Sequence, residues 1–225
     1  ASIPVNPVEA GVSLDDHYGG VINLGFTFNF YGIPYTQCVV GSNGVISFNT
    51  GSANGYNSWS ITNNLPNTFP ADMRNTIQGA WADLYLPYGG TVYYQTLGVA
   101  PNRIFLVEFC GVAYYLCSNA YPGFSGQILL YEGTDIIETH ILNKPNVGCS
   151  TWNSRRGVHG VQNAAGSVGR IIPGRNGLDA AWTTSNEGER WTWDPSTSNY
   201  IVSSIPFSML GFRNPTGPFW YDASN

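Results

Sequence analysis

Paired carboxylates are the first chemistry to test in a chain so poor in charge. Glu132, Asp135 and Glu138 fall within "YEGTDIIETH", and two acids facing one groove are what glycoside hydrolysis requires. The segment "EGTD", however, has the Gly and Asp of a hairpin tip, so this spacing reads as turn chemistry. Glu108 in "FLVEFC" shares a strand face with Leu106 and Cys110, which predicts an edge position or a buried partner such as Arg rather than a catalytic role. His17, His140 and His159 lie far apart in sequence and no G-x-S-x-G elbow occurs, so nothing marks a nucleophile with its base. The expectation is a protein without catalytic residues.

A hard cation is the next chemistry. Asp15 and Asp16 adjoin in an irregular entry segment and Asp83 stands in "WADL"; clustered carboxylates with loop carbonyls are what Ca²⁺ takes. With no EF-hand spacing such an ion would be structural, no cofactor being required, and the alternative is that these side chains bond turn amides. Tyr56 and Trp59 stand among Asn, Ser and Gly in a long polar loop. An exposed Trp with amide neighbours is a sugar platform, whereas a Trp folded back over the sandwich would only anchor the loop.

Cys38, Cys110, Cys117 and Cys149 contain no C-x-x-C, so zinc and thioredoxin-type chemistry are not supported. An even cysteine count in an Asn-rich chain with a single lysine suggests an oxidising compartment. Of the possible pairings, Cys117 with Cys149 would tie the ends of the hairpin over 127–142, leaving Cys38 for Cys110. Lys144, the one lysine, is the sole candidate for a Lys–Asn crosslink, and a single lysine argues against a lysine-dependent active site or a polybasic membrane patch. The net charge of −5 argues against nucleic acid.

The elements that must position these groups are strands. In "GFTFNFYGIPYTQCVVGSNGVISFN" (25–49), Phe26, Phe28 and Phe30 alternate with polar neighbours, "YGIP" and "GSNG" are turns, and no transmembrane helix fits because Gly and Pro interrupt the run. A polar loop over 49–75 follows, with room for a helical turn near Asp72. Strand pairs are then predicted at "GGTVYYQTLG" with "NRIFLVEFCGVAYY", within "SGQILLYEGTDIIETHILN", at "GVHGVQN" and "SVGRIIPG", and from "ERWTWDP" to "YIVSSIPFSM". About a dozen short strands with long polar loops define an all-β, antiparallel two-sheet β-sandwich or jelly roll, one domain over 1–210. Residues 211–225 are read as a tail.

The ordered set "DDHYGGVINLGFTFNFYGIPYTQCVVGSNGVISF", "AWADL", "GGTVYYQTLGVAPNRIFLVEF", "GQILLYEGTDIIETHI", "GVQNAAGSVGRIIPGRN" and "SNEGERWTW" resembles the N-terminal β-domain of very large secreted surface proteins of gliding bacteria. A shorter pattern within it is similar to nidogen-type extracellular domains. "EGERWTW" departs from the first pattern by an extra acidic pair before Trp191. The resemblance implies a non-catalytic cell-surface adhesin module exported by type IX secretion and serving attachment or gliding motility. Its partners would be an extracellular surface or polysaccharide and neighbouring immunoglobulin-like repeats, one of which "GPFWYDASN" resembles at its opening. A carbohydrate-binding module acting through Tyr56 and Trp59 is the alternative function.

Overall fold

The computed structural model describes residues 8–9, 15–117, 123–145, 153, 156–210, 212–213 and 220–221. Its strands are β1 (Val8–Glu9), β2 (Ile22–Phe30), β3 (Ile33–Gly41), β4 (Val45–Ser47), β5 (Thr76–Trp81), β6 (Thr91–Leu97) and β7 (Ile104–Val112). They continue as β8 (Phe124–Tyr131), β9 (Ile137–Lys144), β10 (Val158–Gln162), β11 (Gly169–Ile171), β12 (Thr184–Asp194), β13 (Asn199–Ile205), β14 (Phe212–Arg213) and β15 (Trp220–Tyr221). A seven-stranded sheet in the order β1-β6-β7-β8-β9-β12-β13 packs on a six-stranded sheet ordered β11-β10-β5-β4-β3-β2. Every pairing is antiparallel. The fold is therefore the expected all-β sandwich, and the helical turn expected near Asp72 is a 3₁₀ turn at Ala71–Met73.

Local sequence accounts for the opening hairpin. Ile22, Leu24, Phe26, Phe28 and Phe30 alternate inward along β2, which a strand's period of two requires of an apolar row facing a core. Tyr31 and Gly32 both take positive φ, 51° and 75°, the geometry whose twist matches flanking strands in a two-residue hairpin. Phe28 stacks on Phe48 with centroids 5.9 Å apart, and both join Ile77, Ile128, Leu130, Trp191 and Tyr200 between the sheets.

β4 and β5 show no such alternation: every residue in "VIS" and "TIQGAW" is buried. The cause is a second apolar cluster, Tyr18, Val39, Val45, Ile61, Leu65, Met73, Trp81 and Val158, on the other face of the smaller sheet. The polar loop over 49–75 supplies Ile61, Leu65 and Met73 to it. That loop is held by Ser58, whose N–H and hydroxyl both donate to the Asp72 carboxylate at 2.7 Å, while the Trp81 indole donates to the Ser58 carbonyl at 2.7 Å.

Two cysteine expectations separate here. Cys38 and Cys110 are both buried and are not joined to each other, so the expected bridge between them does not form. Alternation explains why. Cys38 belongs to the core between the sheets, as do Val107 and Phe109 of β7, whereas Cys110 follows Leu106 and Glu108 to the opposite face. Cys117 is disulfide-bonded; its expected partner, Cys149, lies outside the described residues.

Of the two expectations for Glu108, the edge position is not met and the buried partner is: β7 runs inside its sheet between β6 and β8, and the Gln127 side-chain amide donates to the carboxylate at 3.1 Å. The Lys144 ammonium donates to the Trp182 carbonyl at 3.0 Å and lies 4.2 Å from the centroid of that ring.

Two measurements follow from this layering. Burial raises the Cys38 thiol above its ordinary range, so native protein should resist iodoacetamide, while unfolded, unreduced protein should be labelled at Cys38 and Cys110. Labelling of neither after unfolding would restore the bridge. Phe28→Ala should cost about 3–5 kcal/mol through lost burial and a residual cavity, and the exposed Thr27→Ala should stay within roughly 0.5 kcal/mol; chemical denaturation compares the two directly.

Candidate functional site: an acidic and aromatic pocket

The β3–β4 turn is the organiser of this site. Gly44 sits at φ +82°, and a Cβ there would lie 2.0 Å from the Ala80 carbonyl oxygen, so the turn fits against β5 only with glycine. Asn43, one residue earlier, binds three separate segments. Its Nδ2 donates to Asp16 Oδ1 at 2.9 Å and to the Asn57 carbonyl at 3.1 Å. Its main-chain N–H donates to Asn57 Oδ1 at 3.0 Å, and its Oδ1 accepts the Leu84 N–H at 2.9 Å. The entry segment, the long loop and the chain leaving β5 are thereby drawn to one point.

What gathers there is the acidic set. Asp15, Asp16 and Asp83 each place a carboxylate oxygen within 4.8 Å of the others, and they share a pocket of about 270 Å³ with Trp59 and Tyr115. Burial, outweighing the Asn43 hydrogen bond and assisted by Asp15, pushes Asp16 up to about 6. Burial raises Asp15 too. The donor set is all oxygen and anionic, which is the chemistry a hard cation prefers, and the aromatic walls add apolar surface beside it.

The sequence-derived residues are distributed as follows. Asp15, Asp16, Asp83 and Trp59 meet in the pocket. Trp59 is half-buried, and its carbonyl accepts the Asn153 side-chain amide at 2.9 Å. Tyr56 stands just outside, 56% exposed, on the residue that bridges to His17. Tyr115 and its neighbours were not legible in the sequence: Tyr85 meets Tyr88 and Tyr115 edge-on at 4.4 and 5.2 Å. Asn43 was legible only as part of a turn.

The remaining candidate groups are engaged elsewhere. Glu132 pairs with Arg103, and the Asp135 carboxylate accepts the main-chain and side-chain N–H groups of Asn29 at 2.8 Å. Glu138 accepts from Arg190, Tyr131 and His140, and with these bonds outweighing its burial it falls to about 2. The other ring nitrogen of His140 accepts the main-chain N–H of Ser208, not its hydroxyl. His159 packs in the core between Trp182 and Trp191 with Thr139 on one ring nitrogen and Arg175 on the other; burial, then Arg175, lowers it to about 3.

With fold and site described, comparison with known proteins assigns the class. A family model described as NIDO related matches residues 3–200, and the chain belongs to that family. Alpha-tectorin of Mus musculus is 32% identical over 83 residues, and alpha-tectorin of Homo sapiens 31% over the same length. Each match covers 36% of this chain and 3% of the tectorin, so the chain spans a small fraction of the length of these relatives. No solved structure matches the chain. The protein is thus an extracellular module of nidogen type, and among the described residues no helix is long and apolar enough to cross a membrane.

The raised Asp16 gives a pH test with a definite sign. A carboxyl raised in the folded state contributes stability that is present below its unfolded value and lost as pH rises through about 6. His159 tilts stability the opposite way between about 3 and its ordinary value, but equally in wild type and variant. In chelator, therefore, the stability of wild type relative to Asp16→Asn should fall between pH 4 and 7, by roughly 1 kcal/mol once screening at a half-buried group is allowed for. A relative stability that rises over that window would reverse the assignment.

Proposed function

We propose that this extracellular module is a non-catalytic attachment domain of a large cell-surface adhesin, serving surface attachment or gliding motility in bacteria that export such proteins by type IX secretion. The observation that carries the reading is the convergence of Trp59 and Tyr115 with Asp15, Asp16 and Asp83 in one surface pocket. Aromatic faces supply apolar contact area, carboxylates supply strong acceptors, and a ligand that offers both hydroxyls and a hydrophobic face is complementary to the pair. In this proposal a calcium ion is structural, held by the three carboxylates and fixing the entry segment against the long loop. The sandwich over 1–210 acts as one unit, and residues 211–225 lead toward an immunoglobulin-like repeat of the same chain.

The non-catalytic part of the reading is supported by how the acids are used. Glu132, Asp135 and Glu138 each hold a structural partner, as set out above, and Glu108 is 2% exposed. A carbohydrate-binding module is the second reading, favoured by the exposed Tyr56 beside the pocket that Trp59 lines.

Attachment to polysaccharide-coated and to bare hydrophobic beads separates the two. The attachment reading expects retention on both, lost in Trp59→Ala at unchanged melting temperature and weakened in Asp83→Asn, whose melting temperature in calcium should fall as a ligand of the structural ion is removed. Retention on coated beads alone selects carbohydrate binding. Retention unaffected by either substitution removes the pocket from both readings, and release of sugar from the coating, abolished by Glu108→Gln, would make the protein a hydrolase.

A further inference from the structure

We propose a second ligand site, distinct from the acidic pocket: a groove beside β2 that binds a neutral glycan. It originates in a break in the β2–β3 ladder. Phe30, Asn29 and Phe28 pair with Ile33, Pro34 and Tyr35, and Asn23 and Ile22 pair with Gln37 and Cys38, but Leu24–Thr27 stand opposite Thr36 alone. β2 is also the outermost strand of its sheet. Among the described residues, the main chain of Leu24–Thr27 therefore has no residue-for-residue strand partner on either side.

Side chains from the larger sheet take over part of that lost pairing. Thr96 Oγ1 donates to the Leu24 carbonyl at 2.8 Å, and Arg103 Nη1 donates to the Gly25 carbonyl. Gly25 holds φ +86°, and a Cβ at that position would meet the Thr96 methyl at 3.3 Å. A bulge that redirects a strand at a sheet edge is a common device for building a site. Here it opens a groove of about 600 Å³ between β2 and the β8–β9 turn, within the size range of small-ligand sites.

The chemistry of the walls selects the ligand. Asn23, Thr27 and Thr36 are exposed and line the groove with neutral amide and hydroxyl groups. The one ion pair in the wall is closed on itself: Arg103 donates through Nε and Nη2 to the two Glu132 oxygens at 2.8 and 2.5 Å, and its main-chain N–H adds a bond of 2.9 Å to the same carboxylate. The third guanidinium nitrogen is the one on Gly25, and the guanidinium carbon stands 5.7 Å from the Phe26 ring centroid. An anionic ligand would have to compete with Glu132 and a cationic one with Arg103. An apolar ligand would leave hydroxyl and amide groups unsatisfied at a cost. A neutral polyhydroxylated chain, each hydroxyl both donor and acceptor, satisfies such walls without charge. An extended peptide adding to the edge of β2 would need an evenly spaced row of donors and acceptors, which the bulge removes.

The groove shares no lining residue with the acidic pocket, so the two sites can be tested apart. Amide correlation spectra of isotope-labelled protein would be recorded during titration with neutral cello-, xylo-, manno- and chito-oligosaccharides at millimolar concentration. The expected result is shifts centred on Asn23, Thr27, Thr36 and Gly133 with at least one of the four. Thr27→Trp, which fills the groove from an exposed position, should abolish them, and Trp59→Ala should leave them intact. Thr36→Arg is the second groove variant should the first perturb folding. No shifts with any of the four sugars, shifts confined to Asp16, Trp59 and Asp83, or the same amides moving only with an extended peptide would each overturn the proposal.

Discussion

One amide side chain ties together three segments that are separate in sequence. Asn43 is a buried, fully used hydrogen-bonding group, bonded to the entry segment through Asp16, to the long loop through Asn57 and to the chain after β5 through Leu84. A buried amide that lost one of these partners would carry the desolvation cost of the orphaned group, so the bonds hold or fail together. The acidic pocket exists because this residue brings its three carboxylates within reach of one another. Burial and mutual repulsion then leave Asp16 protonated over part of the neutral-acid range, a strain that the Asn43 bond only partly offsets.

The smaller sheet depends on the same convergence. Because the loop over 49–75 is drawn onto it, β4 and β5 are covered on both faces, and the domain has two apolar layers where a plain sandwich has one. The loop is polar in composition, yet Ile61, Leu65 and Met73 within it are buried. Asn57 Oδ1 accepts the Asn43 main-chain N–H and the Ser58 hydroxyl donates to the Asp72 carboxylate, so the loop's polarity reflects internal bonding as much as solvent contact.

The alternation of Phe26, Phe28 and Phe30, the hairpin around "EGTD" and the turn chemistry of "YGIP" and "GSNG" were all readable from residue type and spacing, since period and turn preference are local properties. The strand positions followed. Asp15, Asp16, Asp83 and Trp59 were readable as candidates by type, but nothing in the sequence places the entry segment beside the turn at Asn43; that is set by long-range hydrogen bonds. Cysteine pairing failed for a related reason. Alternation along "FLVEFC" puts Cys110 on the face opposite Val107 and Phe109, and only the sheet packing reveals that Cys38 lies on the Val107 side. The β2 bulge was hidden because its apolar residues keep a regular inward rhythm while their partners on β3 do not.

The chain's single lysine packs 1% exposed against Trp182, whose ring also lies 4.3 Å from the Arg175 guanidinium. Burial, then Arg175, lowers its ammonium to about 7, so near neutrality an appreciable fraction is uncharged amine enclosed by the fold. Since no other lysine exists, the folded exterior presents no side-chain primary amine. Aldehydes, activated esters and lysine-specific proteases find no side-chain target on the native domain, and the permanently charged cationic side chains it shows to its surroundings are guanidinium groups.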